Sequence, residues 1–292
     1  MPSRLWLKWS SIFFGFLAIS GTVTAGVSGD STRTHTGLSE SQSQSQEQTF
    51  LQVGEELEYR VSYSFFTIGT VSFKILGSEI RNGRPVFKVK AFIESNPSLS
   101  WLKEVHIRFY GEMDDSVFSW YWIGEDSSRA GVNFHSLTFH YDDSLLVYRK
   151  GQYAASDSPM VEQLDTVRIH GKDQDGLSLF YYARKYVRQK KAMVIPTVVD
   201  NKEEKTYIDF KNTKEDVEID AVDYPVETVF FDGKADFVGV AGLTGGFRGW
   251  FSNDDARIPI VARLSVWLGS IKVELKRWYR PGWAPPRFVE RP

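Results

Sequence analysis

Along most of this chain apolar and polar residues alternate one for one. Leu57, Tyr59, Val61 and Tyr63 alternate with Glu56, Glu58, Arg60 and Ser62, and Ile271, Val273 and Leu275 alternate with Lys272, Glu274 and Lys276. A period of two puts one side of a strand on a core and the other in water. The stretch 246–278 reads as three consecutive strands, 247–251, 258–267 and 271–278. The polar cluster Ser252-Asn253-Asp254-Asp255 and the break Leu268-Gly269-Ser270 separate them, and both are hairpin signals. The same pattern predicts strands at 57–63, 71–75 and 86–93, with a corner at 65–69 and an Asn82-Gly83 turn suited to positive φ. Further strands are predicted at 106–112, 118–123, 132–141, 145–149, 192–199, 205–210 and 217–221, and a long run at 226–240. Residues 96–105 read as an interruption with a helical turn. Residues 152–163 read as polar and irregular, before a short strand at 167–170.

One helix stands out, at 175–188. Asp175 caps it and Gly176 opens its first turn. Leu179, Tyr182, Ala183 and Tyr186 fall at i, i+3, i+4 and i+7, and Phe180 and Tyr181 widen the stripe. Arg184, Lys185, Arg188, Lys190 and Lys191 suit the negative end of the helix dipole. A single wide-striped helix in a β chain lies against a sheet or plugs a barrel mouth. The expected fold is mainly β: an antiparallel curved sheet or incomplete barrel with one main α-helix.

Composition sharpens this. The 292 residues are 42% hydrophobic and 25% charged, a globular profile, and the 15% aromatic share favours strands. With no cysteine there are no disulfides, no thiolate metal sites and no lipidation after the leader. Residues 1–25 read as a secretory signal: Arg4 and Lys8, the apolar run 12–19, then Val23-Thr24-Ala25 with small residues at −3 and −1. The apolar run is shorter than the roughly 20 residues of a membrane span. The alternative is an uncleaved anchor. Residues 26–48 form a Ser/Gln-rich, disordered linker, too poor in apolar groups to offset its ordering entropy. The remainder, 49–292, reads as a single β-rich domain. The net charge of −2, more negative once Arg4 and Lys8 leave with the leader, argues against nucleic acid as a partner.

The candidate chemistry is sparse. Asp254 and Asp255 are adjacent acids beside Arg257, a pattern able to hold a cation or do acid–base work. Turn chemistry alone also explains Asn253, Asp254 and Asp255, with Arg257 pairing to one carboxylate. His135 and His140, near Asp142 and Asp143, suggest a metal, but positions five apart on a strand face opposite ways. His106 and His170 are isolated. The Gly-rich stretch 239–249 is followed by a strand pattern and not by a helix, so it reads as a flexible loop or bulged corner. No Gly-x-Ser-x-Gly elbow is present. The aromatics Phe65, Phe66, Trp120, Trp122, Phe180, Tyr181, Trp250 and Trp267 either line an apolar cavity or a sugar-stacking groove, or form ordinary core.

Three segments carry a family resemblance. Val53-Gly54-Glu55-Glu56-Leu57-Glu58-Tyr59 leading to Ile68-Gly69, the stretch Asp175-Gly176-Leu177-Ser178 through Tyr182 and Arg184, and Gly249 to Pro259 followed by Gly269 to Leu275 together resemble exported bacterial proteins of the domain of unknown function 3108 family. The likeness covers about residues 50 to 279. It implies an exported β-rich domain and no established activity, so no catalytic residue carries over. The expected function is that of a periplasmic, non-catalytic protein binding an apolar or amphiphilic envelope ligand, without metal or cofactor. The alternative is a protein- or glycan-binding module of an envelope assembly. A hydrolase using Asp254 and Asp255 is the third reading. The expected partner is a lipid or an envelope protein, no membrane span remains after signal cleavage, and the sequence does not set the oligomeric state.

Overall fold

The computed structural model describes residues 50–99, 104–128, 131–154, 158–238, 244–266 and 269–290. The leader and the linker lie outside them. The strands are β1 (Glu56–Tyr63), β2 (Phe66–Arg81), β3 (Arg84–Ser95), β4 (His106–Asp114), β5 (Ser119–Ser128), β6 (Gly131–His140), β7 (Leu145–Tyr153), β8 (Pro159–Arg168), β9 (Lys191–Val199), β10 (Lys202–Val217), β11 (Val226–Val238), β12 (Thr244–Ser252), β13 (Pro259–Val266) and β14 (Gly269–Tyr279). One helix, α1 (Gly176–Tyr186), separates β8 from β9. All these strands join one antiparallel sheet in the order β8 to β1, then β14 back to β9. Two meanders thus run outward from a central β1–β14 pair, and the chain crosses between the outer edges through the helix.

The sheet is not closed by hydrogen bonds, yet its ends overlap. The tip of the β9–β10 hairpin sits on the inner face of β6–β8. Asp200 approaches His135 Nδ1 at 3.4 Å, Asn201 Nδ2 donates to Asp165 at 2.8 Å, and Val198 packs with Leu137, Phe139, Leu146 and Tyr148. Gln174, just before α1, pairs its backbone with the edge of β9 and covers part of it. This is the incomplete barrel that the alternation predicted.

Helix α1 lies inside. The Asp175 carboxylate accepts from the backbone N–H of Leu177 and Ser178, and Ser178 Oγ accepts from the Asp175 N–H, a capping box built with serine. Leu177, Tyr181, Tyr182 and Ala183 pack against Ile75, Val89, Ala91 and Met113 from one meander and Ile195, Ile208, Phe210, Val229, Phe231 and Phe251 from the other. The helix therefore joins the two halves of the sheet. Glycine makes room for it: a Cβ at Gly111 would stand 3.3 Å from Leu177 Cδ2.

Four local readings change. The corner expected at 65–69 is a two-residue turn at Ser64 and Phe65, and 66–69 already belong to β2. Residues 159–168 are one strand, β8, where irregular chain to 163 and a short strand at 167–170 were expected; almost every residue is exposed, so no buried face imposed an alternation. Strand β10 ends at Val217, and 218–221 belong to a loop. Most of the Gly-rich stretch is strand β12, while 239–243 lie outside the described residues. Its Gly249 is a seat for a ring, since a Cβ there would stand 2.2 Å from Phe231 Cε1. Across the ladder, a Cβ at Gly233 would stand 2.5 Å from Phe247 Cζ. In the 96–105 interruption, Leu99 N–H donates to Asn96 C=O in a single turn, and 100–103 lie outside the described residues.

The ring seat gives a first prediction. Gly249→Ala forces Phe231 out of a packed cluster and should lower stability by roughly 1–3 kcal/mol, the usual range for overpacking. Chemical denaturation checks it, and an unchanged midpoint would contradict the packing described.

Candidate functional site

The three segments that are far apart in sequence meet at one side chain. Gly54, at φ +85°, turns the chain so that Glu55 pairs its carbonyl with the Ile75 N–H just before β1 begins. The Glu55 carboxylate then points inward, 1% exposed, under α1. Arg184, fully buried on the same helix face as Leu177 and Tyr181, meets it bidentately: Nη1 to Oε1 at 2.6 Å and Nη2 to Oε2 at 3.1 Å. Arg184 also donates to the carbonyls of Phe50, Ala256 and Arg257, at 3.0, 3.0 and 3.2 Å. Arg280 Nη1 donates to Glu55 Oε2 from the far end of β14. Burial works against the Arg184 charge, but the Glu55 carboxylate beside it outweighs this and raises the pKa, so the guanidinium stays charged.

The acid pair belongs to the same junction. Asp254 Oδ1 accepts from Ser252 Oγ at 2.7 Å and the Arg257 N–H at 3.1 Å, and Oδ2 accepts from Trp283 Nε1 at 2.7 Å. Asp255 turns outward, its side chain 79% exposed, to Arg188 Nη1 at 3.0 Å. Asn253 Nδ2 donates to Glu227. Arg257, at φ +48°, donates from Nη1 to the Lys185 carbonyl at the end of α1. The two carboxylates are committed to different partners, and the turn, by clamping α1, carries the structure.

Above this plug, toward the β1–β2 turn, the inner face continues without a helix to cover it. Cross-strand partners share a face. One row runs Tyr63–Ile271–Leu264–Phe247–Gly233–Ile208–Met193 across seven strands, from β1 to β9. Another runs Val71–Ile93–Ile107 across β2, β3 and β4, then Asp126–Asn133–Gln152 across β5, β6 and β7. Val71, Ile93, Ile107, Leu264, Phe247 and Met193 are only half-buried. An open depression of about 400 Å³ on β9–β11 is lined mainly from the outer face, by Ala192, Val194, Tyr207, Asp209, Asp232 and Lys234, and is no part of this inner wall. The hollow therefore has a long apolar wall and, on β5–β7, a polar one.

Of the eight aromatics singled out from sequence, the seven described divide among four places. Trp122 stacks on Phe109 at 5.7 Å, Phe180 stacks on Phe73 at 3.9 Å and Tyr181 is fully buried, all three around the helix inside the sheet. Trp250 faces outward and donates from Nε1 to Glu215 at 2.6 Å. Phe65 and Phe66 occupy the β1–β2 tip, 84% and 44% exposed. Trp120 meets Tyr141 edge-on at 5.9 Å in an open pocket of about 390 Å³ shared with His140, Asp142 and Asp143. Trp267 lies outside the described residues. His135 lies 3.1 Å from Tyr148 Oη, well away from His140, and His106 and His170 approach Glu104 and Glu203. Among the described residues no three such side chains converge to hold a metal, and no helix is long and apolar enough to cross a membrane.

Sequence reasoning missed Glu55, Arg184 and Asp173. The signal for Arg184 was there: it falls i+3 from Tyr181 and i+7 from Leu177, on the apolar stripe. Asp173 is buried before the helix, and its carboxylate oxygens have no hydrogen-bond partner among the described residues. Desolvation, with Glu203 adding to it and His170 opposing, pushes its pKa up to about 7.

A β-barrel-like protein with an internal helix is the class these features define. The chain belongs to the family described as Protein of unknown function (DUF3108), whose model matches residues 58–276, beginning just after Glu55 and spanning Arg184 and the 252–258 turn. Among solved structures it is similar to a β-barrel-like protein of domain of unknown function DUF1849 from Brucella abortus, with a TM-score of 0.51 at 9% identity over 77% of this chain and 97% of that one. That likeness supports the fold alone. A DUF1329 family protein from Desulfovibrio piger aligns with a TM-score of 0.21 at 8% identity, over 82% of this chain and 91% of that one. No curated protein matches the chain.

Two predictions follow from these geometries. Arg184→Ala leaves Glu55 buried beside Arg280 alone and should cost about 3–5 kcal/mol, whereas Asp255→Ala removes an exposed pair and should cost under about 1 kcal/mol. Equal losses in denaturant titrations would contradict the assignment of the junction to Arg184. For Asp173, a folded pKa above the ordinary value means the folded state holds the proton more tightly. The group's destabilising effect grows as pH rises through the range from 3.8 to about 7 and is complete above it. Asp173→Asn should therefore raise the melting temperature more at pH 8 than at pH 5. A gain independent of pH would contradict the shift.

Proposed function

We propose that this protein is an exported, non-catalytic periplasmic binder of an apolar or amphiphilic envelope ligand, a lipid or acyl chain, held in the hollow above the helix plug. The observation that carries the reading is the inward-facing apolar wall of Val71, Ile93, Ile107 and Leu264, which stays only half-buried beside Phe247 and Met193 at the edge of the helix cluster. Apolar surface left accessible inside a fold is stabilised by an apolar guest. The polar wall of Asp126, Asn133 and Gln152 suits a ligand with one hydrated end. Export is supported by the leader, with its basic start, short apolar run and Val-Thr-Ala boundary.

Native mass spectrometry of the exported protein should detect a co-purified lipid, and a fluorescent fatty acid should bind with increased emission. Ile107→Lys places an ammonium on the apolar wall and should weaken uptake at least about tenfold, while Arg108→Ala, on the outer face, should leave it unchanged. If wild type neither carries lipid nor takes up the probe, the reading is wrong.

A second reading, a glycan-binding module, is favoured by the pocket where Trp120, Tyr141, His140, Asp142 and Asp143 combine rings with hydrogen-bonding groups. It would show as saturable binding of envelope oligosaccharides lost in Trp120→Ala, with fatty-acid uptake absent.

A further inference from the structure

The rim of the hollow carries a feature that neither the core nor the plug uses. Tyr63 pairs with Phe66, so the β1–β2 hairpin turns on two residues, Ser64 and Phe65. Ser64 sits at φ +54°, where serine is uncommon, and Phe65 projects 84% exposed with its ring 4.4 Å from that of Phe66. The tip is braced. Asn96 Nδ2 donates to the Thr67 carbonyl and Asn96 N–H to the Ile68 carbonyl, both at 2.8 Å. A braced, strained turn that holds a phenylalanine in water bears two local costs at one point, which marks it as a place of function.

We infer that the Phe65–Phe66 tip docks the protein on a lipid bilayer, with the mouth of the hollow toward the membrane. The inference rests on the proposed apolar ligand. The tip stands at the end of β1 away from the plug: from Glu55, bound to Arg184, to Phe65 is ten residues of near-extended chain, roughly 30 Å. Tyr63 of the apolar inner row lies one turn residue away from Phe65. Ser64, Phe65, Phe66 and Thr67, and the bracing Asn96, Pro97 and Ser98, carry no charge, so none of these described residues resists entry into a headgroup layer. A protein partner fits less well. Even two whole Phe side chains bury no more than about 500 Å², short of the about 800 Å² per partner of a stable protein interface. A bilayer demands no complementary surface and rewards depth of insertion.

The chain has no cysteine, so one can be placed and labelled uniquely. Phe65→Cys carrying an environment-sensitive nitrobenzoxadiazole dye is compared with Tyr279→Cys, on an exposed residue at the opposite end of the β1–β14 pair. Both are mixed with vesicles of phosphatidylethanolamine and phosphatidylglycerol. The label at position 65 should shift to the blue and be quenched by brominated lipid, and the label at 279 should not. The unlabelled double variant Phe65→Ser, Phe66→Ser should co-sediment with these vesicles at least about tenfold less than wild type. It should still take up the fluorescent fatty acid in their absence. Equal response at both labels, response at neither, or unchanged sedimentation of the double variant would overturn docking by the tip. Probe uptake by wild type in those cases leaves the hollow reading standing, whereas absence of uptake defeats that reading separately. Recruitment of a second copy, seen as a dimer lost in the double variant without any vesicle response, would also overturn the inference.

Discussion

A buried guanidinium–carboxylate pair fixes how this sheet is filled. Arg184 and Glu55 are 0% and 1% exposed at the side chain, and the pair spans the helix and the start of the central strand. Charges this deep survive only when nearly every donor and acceptor is met. Here Phe50, Ala256 and Arg257 supply carbonyls and Arg280 supplies a second donor to Glu55. Those partners come from the chain before β1, the β12–β13 turn and the end of β14. The requirement for charge balance thus locks the helix to one end of the sheet, where both meanders begin or end. The rest of the inner face is left to its own apolar side chains.

This division gives the molecule its two-part interior. Below, the helix fills space that glycine clears for it, as at Gly111. Above, the same face presents half-buried aliphatic and aromatic residues to a hollow, with the polar sector of β5–β7 opposite. The overlap of the β9–β10 tip on β6–β8 is polar at its contacts, His135 with Asp200 and Asn201 with Asp165, and no ladder joins β8 to β9. A seam held this way needs less to open than a hydrogen-bonded strand pair, which suits the proposed entry of an apolar ligand.

Most of the strands, the helix and the Asn-Asp-Asp turn were legible because each buries one face and so writes its period into the chain. Strand β8 was not, because it is exposed on both sides and no period was imposed on it. The glycines of β12 read as a loop because sequence cannot show that Phe231 lies over Gly249. The junction was hidden for a related reason: Glu55 and Arg184 are 129 residues apart, and only folding shows that they share a pocket. Of the aromatics, composition could not distinguish Trp122 and Phe180 in the interior from Trp250 outside or Phe65 at the rim, since all are equally apolar. Asp254 was read as a turn residue, and it is one, but its partners Trp283 and Ser252 give it a weight that the exposed Asp255 lacks.

The most direct test of the hollow as the ligand site is a crystal structure of the protein loaded with a fatty acid brominated midway along its chain. Anomalous scattering locates the bromine without bias. The account predicts a peak inside the sheet, between the Ile93–Ile107 wall and the Phe247–Ile271 wall, above Phe180. A peak on the outer face, or in the pocket of Trp120 and Tyr141, would contradict it.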